Sequence, residues 1–247
     1  MEESRDVVIW YSTGNRVLRN LVRGSRYGTH LMYAHHTLIE ENRYLGDVVG
    51  IFLMYSRDVT LTRNLLADAS GAAGMGLGAK ESGNLIVTDN RFLRNTTGIY
   101  LDTSPLQIGE LNVFERNELR LGQVGVLFHS SEHDNVFRAN LFRDNQLPVA
   151  VDGGGDALGV TWEGNDFDDY AGYDFDGDGT GDVPYELRSA TSDLSSRYPE
   201  LDFFRGAPVL ALVNIASELF PLWKPKAILR DPTPRFAPFA WEGHHAR

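Results

Sequence analysis

The chain has 247 residues, with 23 Lys and Arg against 34 Asp and Glu, and a formal net charge of −11 at pH 7. Such an acid excess argues against a nucleic-acid partner or an anionic membrane surface, and no apolar run is long enough to span a bilayer. There is no cysteine, which excludes disulfides and thiolate metal sites, and Met1-Glu2-Glu3 opens no signal peptide.

From the start, Asp6–Ser12 (DVVIWYS) aligns with Gly28–Ala34 (GTHLMYA) and with Gly50–Ser56 (GIFLMYS). The chain therefore begins halfway through a repeat, without a cap. An uncapped solenoid end exposes strand edges, so further coils are expected ahead of residue 1. The repeat is marked by a row of asparagines: Asn20, Asn42, Asn64, Asn90, Asn117, Asn140 and Asn165, at intervals of 22, 22, 26, 27, 23 and 25 residues. Each has an apolar residue three positions earlier (Val17, Ile39, Leu61, Val87, Phe114, Phe137, Trp162) and two positions later (Val22, Tyr44, Leu66, Phe92, Leu119, Phe142, Phe167). Glycine recurs eight positions after most of them, at Gly28, Gly50, Gly98 and Gly125, with Gly74 as the delayed member and Pro148 in the last slot.

This periodicity defines a solenoid. Residues after each glycine alternate with period two, and no helix-length apolar stripe occurs, so the repeats are short strands. The expected fold is all-β: a right-handed parallel β-helix of about seven coils over residues 1–165, with coils ~4.8 Å apart. Asparagine suits the row because its amide can form a stacked ladder and because it tolerates a left-handed corner.

Alignment of the coils sorts the outward positions into two columns. The second column reads Val8, His30, Phe52, Gly76, Tyr100, Leu127, Ala150, and the fourth reads Trp10, Met32, Met54, Gly78, Asp102, His129, Asp152. Tyr11, Tyr33 and Tyr55 follow the fourth column. The N-terminal part of this face is soft and apolar. Met32, Met54, His30 and His35 supply thioether and imidazole donors that suit Cu(I). The same residues would also serve as packing for a loop or a partner. A second reading is a carbohydrate-binding or polysaccharide-cleaving β-helix that uses Asp102, His129 and Asp152 with Tyr100 as a sugar platform. The glycines from Gly71 to Gly78 mark a close backbone approach, and Leu106–Leu111 lengthens one coil as a loop.

Residues 166–186 are an acidic loop. Glu163 to Glu186 carries nine carboxylates and no lysine or arginine. Asp174, Asp176, Asp178, Thr180 and Asp182, with Gly179 at the turn, match the alternate spacing of a Ca²⁺ loop, although Tyr185 stands where an EF-hand has glutamate. Asp168, Asp169 or Glu186 would complete the shell of a structural calcium. In residues 187–247, Val209–Phe220 reads as a capping helix set between Pro208 and Pro221, followed by an extended proline-rich tail.

The Asn/Gly coils, with strands of the Gly50-Ile-Phe-Leu-Met-Tyr-Ser56 type, and the closing stretch Gly164–Tyr185 with Arg197-Tyr-Pro and Gly206-Ala-Pro resemble the NosD family. These are periplasmic β-helix proteins of nitrous oxide reductase maturation. The resemblance covers essentially the whole chain, as the C-terminal part of such a protein. It implies a non-enzymatic role in denitrification. Copper would be handled transiently with the membrane and ATPase subunits of an ABC transporter, a copper chaperone and nitrous oxide reductase. It also implies a periplasmic location, with a signal peptide absent from this chain. It assigns no copper ligands, so Met32, Met54, His30 and His35 rest on their chemistry alone.

Overall fold

The computed structural model describes residues 6–130, 133–152, 155–188 and 225–236. Three seven-stranded parallel sheets run the length of a β-solenoid, and each coil gives one strand to each sheet. The first sheet stacks Val7–Thr13, Tyr27–His35, Val49–Met54, Met75–Lys80, Thr97–Asp102, Val124–His129 and Leu147–Val151. The second runs from Arg16–Leu18 to Thr161–Glu163, and the third from Leu21–Arg23 to Asp166–Phe167.

The apolar rows flanking the asparagines form the core. Ile39, Leu61, Val87, Phe114 and Phe137 are fully buried, as is Leu66, with Tyr44, Phe92, Leu119 and Phe142 nearly so. Aromatic residues at equivalent positions stack coil on coil, with Phe114–Phe137 at 4.5 Å and Phe137–Trp162 at 4.7 Å. Such stacks stabilise beyond the area they bury.

The asparagine row is a continuous ladder. Each side-chain amide donates to the Oδ1 of the next asparagine, from Asn20–Asn42 at 2.9 Å to Asn140–Asn165 at 3.0 Å. Each Oδ1 also accepts the backbone N–H of the preceding asparagine, as Asn90 does from Asn64 at 2.9 Å. The second amide proton goes to a backbone carbonyl of the previous coil, for example Asn90 to Leu61 at 2.9 Å. Polar groups that the coil must bury are thereby satisfied. The corner geometry differs from expectation in one respect. The left-handed φ belongs to the residue before each asparagine, at Arg19, Glu41, Arg63, Asp89, Arg116, Ala139 and Gly164. The asparagine itself supplies hydrogen bonds, and its neighbour takes the strained backbone.

A second correction concerns the fourth coil. Met75 pairs with Val49, Leu77 with Ile51 and Lys80 with Met54, so the glycine of the row is Gly76 and not Gly74. A Cβ on Gly76 would lie 2.7 Å from the Gly98 carbonyl oxygen, as one on Gly50 would from that of Gly76. Gly74 instead closes a local turn by donating its N–H to the Gly71 carbonyl. That turn takes up residues which a count from Asn64 had placed in the strand. The second column therefore contains Gly78, and the fourth contains Lys80 between Met54 and Asp102.

The far end of the solenoid is closed by an antiparallel pair, Tyr185–Arg188 with Ala227–Asp231. The expected helix Val209–Phe220 lies outside the described residues, and the segment from Pro225 is extended. Asp231 is fully buried and takes the place of an eighth asparagine. Its carboxylate accepts the Asn165 N–H at 3.0 Å, the Asn165 amide at 2.9 Å and the Thr233 N–H at 3.0 Å.

Candidate metal and ligand surface

Register alone places the front-face residues. His30 pairs with Phe52 and Met32 with Met54 on adjacent strands, so the four side chains leave the same face. His30 Nε2 lies 3.4 Å from the Met54 sulfur. The imidazole sits among aromatic rings, with Tyr27 at 4.9 Å and Phe52 at 5.7 Å between centroids. Burial pushes the His30 pKa below its ordinary value, and Asp6 partly opposes this. The ring is therefore held in the neutral form that can bind a metal. Gly78 has a local structural role here: a Cβ on it would lie 2.4 Å from the Phe52 ring, so its bareness lets that ring lie across the fourth coil.

His35 sits apart from this group. It lies at the next corner, where its Nδ1 accepts the Arg57 N–H at 3.1 Å. The ring proton then belongs on Nε2, and neither nitrogen is free to bind a metal without a change of tautomer. His35 lines a separate cavity of about 240 Å³ with Tyr33, Tyr55, Arg57, Glu81, Leu106, Gln107 and Glu110.

The other half of the face is charged and internally paired. Lys80 Nζ lies 2.8 Å from Asp102 Oδ2, and His129 Nδ1 lies 3.3 Å from Asp152 Oδ2. Asp102 is thus held toward the fourth coil and Asp152 toward the sixth. Lys80 also brings a lysine into a column that the sequence alignment filled with Gly78 at this coil.

In the acidic loop, carboxylate oxygens of Asp174, Asp176 and Asp182 lie within 4.8 Å of one another. Asp174 accepts the N–H groups of Gly177 and Gly179, and Asp182 that of Phe175. Asp178 accepts the Thr180 N–H at 2.7 Å and is outside the triplet. Asp168, Asp169 and Glu186 are engaged elsewhere, by the Asp144 N–H, the Tyr185 hydroxyl and Arg188. The loop rests on the closing segment through Gly181 N–H to the Pro234 carbonyl and Phe236 N–H to that of Gly179.

A parallel β-solenoid that gathers an imidazole and two thioethers on one half of its front face presents a soft-donor surface. The chain belongs to the NosD family, described as "Periplasmic copper-binding protein (NosD)", which matches residues 1–173. It is 28% identical over 114 residues to a "Probable ABC transporter binding protein NosD" of Stutzerimonas stutzeri, covering 46% of this chain and 26% of that protein. It is also 28% identical over 124 residues to the protein of the same name from Pseudomonas aeruginosa PAO1, covering 50% of this chain and 29% of the relative. The matched stretch thus spans little more than a quarter of each relative. Both relatives are named as binding proteins. Among the described residues, no helix is long and apolar enough to cross a membrane.

Proposed function

We propose that this chain is part of a periplasmic, non-enzymatic accessory protein. It handles copper in transit for nitrous oxide reductase, alongside an ABC transporter and a copper chaperone. The observation that carries this reading is the His30–Met54 approach at 3.4 Å on the outward face, with Met32 in register beside Met54. An imidazole held neutral and two thioethers form a soft donor set that takes Cu(I) and discriminates against Mg²⁺ or Ca²⁺. Copper is here the cargo, so a half-buried site with few ligands suits its release. His35 contributes at most to the neighbouring corner.

Anaerobic Cu(I) titration against a competing chelator tests this. One equivalent should bind, with affinity reduced at least tenfold by His30→Ala or by the pair Met32→Ala/Met54→Ala. Unchanged affinity in both variants would sink the assignment. Proton competition gives a second readout: burial lowers the His30 pKa, so the fall in affinity on acidification should set in at lower pH than for a solvent-exposed histidine.

We further propose that Asp174, Asp176 and Asp182 hold a structural Ca²⁺, with Asp178 and Thr180 supplying outer contacts. The support is the convergence of three carboxylates in a glycine-turned loop packed against the closing segment. Chelation should lower the thermal midpoint of the native protein and leave that of Asp176→Asn unchanged. An equal midpoint with and without chelator in the native protein would remove calcium.

A further inference from the structure

The cavity beside His35 is a site of its own. Tyr11, Tyr33 and Tyr55 form a stack at one corner, with ring centroids 5.0 and 4.8 Å apart and interplanar angles of 9° and 11°. Equivalent backbone conformations produce it, with φ of 47°, 51° and 49°. The next position in this column is Glu81, which follows Lys80 as Tyr55 follows Met54 and has the same φ of 49°. The column therefore changes from aromatic to carboxylate at the cavity. One face of Tyr55 is covered by Tyr33, and the other is turned toward the Glu81 coil.

The remaining walls are unevenly charged. Arg57 Nη1 bonds to Gln107 at 2.9 Å and lies 3.5 Å from Glu110 Oε1. The Glu110 side chain is only 9% exposed, and its Oε2 has no hydrogen-bond partner. The Glu81 side chain makes no hydrogen bond or ion pair among the described residues, and the neighbouring cation Lys80 is held by Asp102 at 2.8 Å. Two carboxylates thus face one guanidinium across an aromatic wall, and the cavity of about 240 Å³ has room for a small planar group.

We propose that this cavity binds an organic cation, a guanidinium or primary ammonium group, stacked on the free face of Tyr55 and paired with Glu81. Stacking on an aromatic face and pairing with a carboxylate are the two interactions such a cation takes best. Gln107 Oε1, which also lines the cavity, offers a further acceptor at the rear. Leu106, Gln107 and Glu110 of the 106–111 loop form one wall.

Titration of the full chain with methylguanidinium, methylammonium and neutral N-methylurea, followed by amide chemical shifts, tests the site. Both cations should give saturable shifts at Arg57 and Glu81, and N-methylurea none. Glu81→Gln and Tyr55→Leu should each weaken binding at least fivefold, and Glu81→Asp should retain it. Thermal melts equal to native would show that the variants are folded. No saturable shift, equal binding of the neutral probe, or native affinity in folded Glu81→Gln would overturn the site. Comparison with the capped tripeptide Gly-Arg-Gly identifies the source. Tighter binding of the peptide supports an arginine presented by a protein, and tighter binding of methylguanidinium supports a free cation.

Discussion

The two halves of the front face share one backbone and differ in almost everything else. In the first three coils the fourth column reads Trp10, Met32, Met54, and the second carries His30 and Phe52. In the later coils the fourth column reads Lys80, Asp102, His129, and the charges pair with one another. Register, strand direction and inner rows do not change at this boundary. The fold therefore fixes where an outward side chain points and leaves its chemistry open. The soft half keeps neutral donors that a ligand can use, and the charged half turns its donors on itself. Gly78 and Lys80 in the fourth coil form the seam.

The comparison breaks most severely at what both halves share. Asn90 lies near the seam on the inner ladder, fully buried, and accepts from both the N–H and the amide of Asn64. Asn90→Ala orphans those donors and the carbonyls of Leu61 and Thr88. A loss of about 3 kcal/mol or more is expected, since each unsatisfied buried polar group costs roughly 1–3 kcal/mol. Urea unfolding should show it, and both halves should loosen together by hydrogen exchange. Protection lost from one half alone would mean that the ladder does not couple them.

Asp231 is the end of the same ladder, so its effect is smaller and local. Asp231→Ala leaves the N–H groups of Asn165 and Thr233 without their acceptor, for a cost of about 2 kcal/mol. Asp231→Asn keeps one acceptor oxygen, the group every inner rung uses, and should lose less than half as much. Exchange protection should fall in the last two coils and stay native around Met32. At the seam, Gly78→Ala forces the Phe52 ring off the fourth coil, because the new Cβ would sit 2.4 Å from it. About 1 kcal/mol is expected for this overpacking. Cu(I) affinity should also fall several-fold, as Phe52 packs on His30.

The inner architecture was legible because a ladder demands the same residue in every coil. Asn20 to Asn165 and their apolar neighbours therefore announced the solenoid, the core rows and the stacking direction. The seam was not legible, because alternation cannot tell which glycine of Gly74, Gly76 and Gly78 belongs to the row. That choice depends on a turn at Gly71–Gly74 whose length only three-dimensional pairing sets. Lys80 was hidden by the same two-residue offset. Of the soft donors, His30 and Met54 came together as strand spacing implies. His35 did not, because the strand turns at Tyr33, whose φ is 51°. Asp231 completes the ladder from 66 residues beyond Asn165, a separation no local pattern can bridge. The cavity beside Tyr55 needs the 106–111 loop to fold back to Arg57, and again nothing local encodes that.

The mildest change would be made at Lys80, and it bears on whether the seam is a chemical boundary or a mechanical one. Its ion pair with Asp102 is close at 2.8 Å, but the lysine side chain is 36% exposed, so solvent screens it. Such pairs contribute about 1 kcal/mol or less. Lys80→Met should therefore change the unfolding midpoint only slightly, while extending the thioether column by one coil beside Met54. If the boundary is purely chemical, this substitution should raise Cu(I) affinity or add a second weak equivalent, and the fold should be unaffected. Loss of stability well above 1 kcal/mol would instead mean that Lys80 props the seam, and that the soft half depends on the charged half for its shape.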